Sequence, residues 1–103
     1  MQVNVSSRHG HLKQEDQVIV VEKVEKIRRL FDRINSIAVV VDLGHLEKPT
    51  VEINVSAEGA NDFVATCEAD TVLSALDAAI HKVEQQVRKH KEKLTDHKSH
   101  HHA

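Results

Sequence analysis

The sequence predicts an α+β domain built as a two-layer β-α-β-β-β-α sandwich, with a four-stranded mixed sheet in the order 1-2-3-4 and two helices covering one face. Three observations carry this. Four short stretches alternate apolar and polar residues with the period of a strand, and two longer ones repeat apolar residues at three and four with the period of a helix. Along the chain they come as strand, helix, three strands, helix. Each strand then has one apolar face, and two amphipathic helices can cover it. The 103 residues fit one such domain and can bury a core without a metal or a disulfide.

Val3 and Val5 alternate with polar neighbours as a short first strand, and Ser7-Arg8-His9-Gly10 breaks it. Val20, Val24, Ile27, Phe31 and Ile34 follow a four-three-four-three spacing. That spacing predicts a helix from near Lys13 to Ile34, with Lys23, Lys26, Arg29 and Arg33 toward its outer side and Asn35-Ser36 as its end. Ile37, Val39, Val41 and Leu43 alternate as the second strand, and Gly44 and Pro49 bracket a turn. Val51, Ile53, Val55 and Ala57 point one way, with Glu52, Asn54 and Ser56 the other. Gly59 turns the chain, and Asp62 to Ala69 returns as the fourth strand. Thr71 suits the N-cap of a last helix whose packing face holds Leu73, Leu76, Ile80, Val83, Val87 and Leu94. The helical crossover makes the first two strands parallel, and the later strands pair antiparallel. One domain over residues 1–95 is expected. From Thr95 onward the apolar period is absent, so the His-rich segment 96–103 is expected to be disordered.

Charge is unevenly spread. The formal net charge of -2 excludes a uniformly basic nucleic-acid binder, yet 11 of the 14 lysines and arginines fall in residues 13–34 and 81–94. Residues 36–79 hold eight acids, Asp42 through Asp77, against the single cation Lys48. Two helices on one side of a sheet are expected to gather the cations into one surface and leave the other sheet face negative. The sharpest signal is the segment His81–Leu94, HKVEQQVRKHKEKL. At about 100° per residue, Lys82, Lys89 and Lys93 fall within about 40° of one another, with Gln85 and Gln86 beside them, roughly 130° from the apolar direction. One face packs, and a separate basic stripe with Arg88 nearby is available to phosphate. A solvated surface of good helix formers accounts for such a stripe equally well on geometry alone.

Other chemistry finds little support. The lone Cys67 excludes an internal disulfide framework, suits a reducing cytoplasmic setting, and lies in the core alternation Phe63, Ala65, Cys67, Ala69 as a small buried hydrophobe. There is no signal-peptide pattern and no apolar run of membrane-spanning length. His9, His11 and His81 lack a nucleophile or paired carboxylate at a recognisable spacing, so no enzyme is expected. The tail histidines His97, His100, His101 and His102 suggest a transition-metal module, or a protein-interaction module, as the alternative function. Only two aromatic residues occur, Phe31 and Phe63, both on expected core faces, which argues against reading RNA by stacking on unpaired bases.

The start MQVNVSSRH, the stretch FDRIN at Phe31 to Asn35 and the terminal SALDAAIHKVEQQVRKHKEKLTDH, in this order and at these separations, resemble the ribosome hibernation promoting factor family, in its short form. The resemblance spans nearly the whole chain. It implies a bacterial, cytoplasmic, non-catalytic domain, similar in outline to double-stranded-RNA-binding folds, that binds the small ribosomal subunit in the tRNA and messenger channel and inhibits translation in stationary phase or stress. It implies no cofactor and no metal, no membrane or DNA partner, and a monomer in solution. By position, the family's functional cations fall on Lys82 and Lys89, with Lys93 continuing the line and Gln85, Gln86 and Arg88 alongside. Lys23, Lys26, Arg29 and Arg33 are the candidates on the first helix. Gln85 stands where relatives commonly carry arginine, and Leu73 where they carry tyrosine. Longer relatives have a second, dimer-forming domain, for which this chain ends too early.

Overall fold

The computed structural model describes residues 2–99. The order of elements is β1 (Gln2–Arg8), α1 (Gln14–Arg28), β2 (Ile34–Asp42), β3 (Thr50–Ala57), β4 (Phe63–Glu68) and α2 (Val72–Ser99). The sheet order is β1-β2-β3-β4. β1 runs parallel to β2, Val3 opposite Ile37 and Val5 opposite Val39. β2–β3 and β3–β4 are antiparallel, with Val39 opposite Ile53 and Ile53 opposite Ala65. Both fold class and strand order therefore match the sequence reading.

The strand period of two sends Ile37, Val39, Val41, Val51, Ile53, Val55, Phe63, Ala65 and Cys67 to one face, and all are buried. Val20, Val24 and Ile27 of α1 and Ala75, Leu76, Ala79, Val83 and Val87 of α2 close over them, each fully buried. Burying a side chain of this size stabilises the fold by roughly 1.5–3 kcal/mol. The cap expected at Thr71 is present: its Oγ1 accepts from Ser74 N at 3.1 Å and its carbonyl from Ala75 N at 3.0 Å. Gly59 turns β3 into β4 at φ 75°, the left-handed region that favours glycine.

Three expectations are corrected. α1 ends at Arg28, not Ile34. Arg29 N and Leu30 N bond back three residues, to Lys26 O and Ile27 O, which tightens and stops the helix. Phe31 and Ile34 are buried as the spacing required, but from a turn and from the first residue of β2, because a four-three spacing reports a shared face and not an unbroken helix. β2 correspondingly starts at Ile34, ahead of the expected Ile37, with a register shift between Ile34 and Ser36.

Leu94, expected on the packing face, is 49% exposed. At 1.5 Å per residue the 28 residues of α2 extend about 42 Å, whereas nine-residue β2, the longest strand, extends about 30 Å. α2 therefore outruns the sheet, and its last fully buried residue is Val87. The helix also continues to Ser99, through Thr95–Ser99, where disorder was expected. No glycine or proline interrupts it there. The remaining tail histidines, His100 to His102, lie outside the described residues.

Candidate nucleic-acid interface

The buried line of α2 fixes the rotation of the helix, and with it the direction of every other side chain it carries. Lys82, Lys89, Lys93, Gln85 and Arg88 are exposed. Neither an ion pair nor a hydrogen bond engages Lys82, Lys89 or Lys93 among the described residues. The stripe is held on a scaffold whose stability does not depend on it. Gln86 differs from its neighbours. Its Nε2 donates to the Val64 carbonyl of β4 at 2.9 Å, so this amide clamps the edge strand to α2.

Around the C-terminal half of α2 the stripe meets the turn between β3 and β4. Asn61, Asp62, Gln86, Lys89, His90 and Lys93 line one open concavity of about 730 Å³. His90, half-buried, stands edge-on to two rings, its centroid 5.6 Å from that of Phe31 and 5.6 Å from that of Phe63. Sequence reasoning missed His90, Asn61 and Asp62. Phe31 and Phe63 signalled core, but that they meet the same histidine depends on three separate elements converging.

The cations of α1 and of the turn after it are divided, and of these the Arg33 guanidinium reaches the β3–β4 turn at Gly59, which lines this concavity. Lys23 pairs with Asp77 of α2 at 2.9 Å, which ties the two helices together and commits Lys23 to structure. Arg29 and Arg33 line a second, smaller concavity with Lys91 and Leu94, and Lys91 Nζ donates to Leu30 O at 2.8 Å. Lys91 lies about 200° around α2 from Lys89. The cations are thus spread over two concavities, with Arg33 touching both and Lys26 exposed near the end of α1. The acidic middle is likewise divided. Glu52 and Glu68 lie on the outer sheet face beside Asn54 and Thr66, while Asp62 stands next to the lysines and Asp77 faces Lys23.

At the opposite end of the sheet, His9 Nδ1 lies 3.0 Å from Asp42 Oδ1, which also accepts from Gly44 N at 2.9 Å. The Gly44 amide, followed by His9, holds the Asp42 carboxyl below its ordinary 3.8. Among the described residues there is no group of three or more His, Cys, Asp or Glu placed to hold a metal ion, and no helix long and apolar enough to cross a membrane. Leu73 is partly buried against the core.

A family model described as Sigma 54 modulation protein / S30EA ribosomal protein matches residues 3–95. The ribosome hibernation promoting factor of Pseudomonas putida is 33% identical over 93 residues, covering 90% of this chain and 89% of that protein. The protein of the same name in Azotobacter vinelandii is 34% identical over 93 residues, covering 90% and 85%. That of Escherichia coli K12 is 29% identical over 100 residues, covering 94% and 100%. Among solved structures, a ribosomal subunit interface protein from Coxiella burnetii superposes with a TM-score of 0.80 at 23% identity, covering 89% of this chain and 99% of that one. The N-terminal domain of Thermus thermophilus Protein Y gives 0.76 at 23% identity, covering 86% and 98%. Both share its fold. A family match over almost the entire folded chain, relatives above 30% identity and a common strand order agree with the resemblance read from the sequence: this chain belongs to the Sigma 54 modulation protein / S30EA ribosomal protein family, alongside the ribosome hibernation promoting factors.

Proposed function

We propose that this protein is a ribosome hibernation factor that binds the small ribosomal subunit through rRNA phosphates and blocks the tRNA and messenger channel, inhibiting translation when growth slows. The observation that carries the reading is the Lys82, Lys89, Lys93 line, exposed and unengaged on a helix whose opposite face is locked into the core. Three lysines along about 16 Å of helix present point charges to a backbone whose charges repeat every few ångströms, and they read shape and charge, not sequence. Gln85 and Arg88 flank the line. Lys26, Arg29 and Arg33 provide a second set of contacts, and Lys23 supports it through Asp77. The work is binding, not catalysis, and the protein acts in the cytoplasm as a monomer. Residues 1–95 hold the whole function, and the His-rich segment 96–103 is dispensable.

Co-sedimentation with vacant small subunits at about 50 mM salt, a condition under which phosphate contacts are strongest, together with a cell-free translation assay, tests the reading. Binding and inhibition are expected. A folded protein that stays in the supernatant overturns it.

A further inference from the structure

The concavity beside the stripe has a composition that phosphate alone does not explain. Lys89 and Lys93 supply positive charge along one wall, yet Asp62 and Asn61 stand at the same opening from the β3–β4 turn. A carboxylate there repels a phosphate. A nucleotide, by contrast, is anionic at its phosphate and carries N–H donors on the edge of its base, so a groove with lysines on one wall and a carboxylate and an amide on the other matches both ends at once. The groove is also built to hold its shape. Gly59 fixes the turn at φ 75°, Glu58 N, one residue before it, donates to Arg33 O at 2.8 Å, Gln86 is bonded to Val64 O, and His90 packs edge-on to Phe31 and Phe63.

We propose that this groove takes one unpaired guanosine of ribosomal RNA, a reading that rests on the RNA-binding function proposed above. Lys89 and Lys93 hold its phosphate, the His90 imidazole lies against the base, and Asp62 accepts from guanine N1–H and the N2 amino group while Asn61 meets the neighbouring O6. Guanine is the base with two adjacent donors on its Watson–Crick edge, which suit the two oxygens of one carboxylate. A paired guanine presents no free edge, so the nucleotide is unstacked from any duplex. The scarcity of aromatic residues, which argued against base recognition from sequence, is met here by a histidine.

The two readings of Asp62 differ in sign. If the groove meets only phosphate, Asp62→Asn removes a repulsive charge and tightens binding to vacant small subunits. If the carboxylate reads a base, Asp62→Asn and Asn61→Ala/Asp62→Ala weaken binding by about tenfold. Both positions are exposed, so thermal melting should match the parent. The second readout is modification of the bound subunit's rRNA, at protein concentrations that saturate each variant, by kethoxal at guanine N1 and N2 and by dimethyl sulfate at adenine N1 and cytosine N3. The parent should protect at least one unpaired guanine from kethoxal, and both variants should lose that protection while still co-sedimenting. Tighter binding by Asp62→Asn, guanine protection unchanged in the variants, or loss confined to adenine or cytosine overturns the proposal. Failure of the parent to bind subunits instead overturns the function on which it rests.

Discussion

Replacing Lys82 and Lys89 together by glutamine tests whether the stripe is a phosphate ladder or a solvated face. Both side chains are exposed and unengaged among the described residues, so their loss removes no intramolecular contact and should change stability by about 0.5 kcal/mol or less. Binding should respond very differently. Each neutralised phosphate contributes roughly 0.7 to 0.9 to the slope of log K against log salt, so two lost contacts flatten that slope by about 1.4 to 1.8. Extrapolated from 1 M salt to 0.1 M, the same two contacts correspond to about 1.4 to 1.8 decades, a loss of roughly 25- to 60-fold in affinity. The assay is filter binding to vacant small subunits at several salt concentrations, with thermal melting in parallel. An unchanged slope, or a slope that changes only as far as the protein unfolds, refutes the assignment. Glu52→Gln with Glu68→Gln on the outer sheet face is the control, and should leave the slope unaltered.

Three further outcomes follow from contacts around the site. Gln86→Ala removes the bond to Val64 O and should cost about 0.5–1.5 kcal/mol, read as a lower melting temperature and faster amide exchange along β4. Thr71→Ala removes the α2 cap at a cost of about 1 kcal/mol, a fall of roughly 4–8 °C for a domain of this size, whereas Thr71→Ser should restore the parent value. Asp42 has its carboxyl depressed below 3.8 by the Gly44 amide and His9, so it contributes stability above the unfolded pKa that is lost as pH falls through the folded one. The melting difference between the parent and Asp42→Asn should therefore be present near neutral pH and shrink below about pH 4, and a difference that grows on acidification would contradict the pairing.

The sequence by itself determined the element order, the sheet order and, Leu94 at the overhanging end of α2 excepted, the buried face of each element, because strand and helix periods are local and an amphipathic face must be covered. It also determined the lysine line, since Lys82, Lys89 and Lys93 share a face of one helix whatever that helix packs against. Where helix and strand share a spacing, local pattern failed: Phe31 and Ile34 continue the period of α1 after the helix has stopped. Tertiary structure alone decided which cations are committed. Lys23 meets Asp77 across 54 residues and Lys91 meets Leu30 across 61, pairings that depend on how two helices are set on the sheet and leave no periodic trace. The same holds for the groove. Asp62 reads as one more acid in an acidic middle, and His90 as one polar residue on a helix, until the β3–β4 turn and the overhanging end of α2 bring carboxylate, imidazole and lysines to a single opening. Covalent neighbours set the faces; the packing angle between layers set which faces meet.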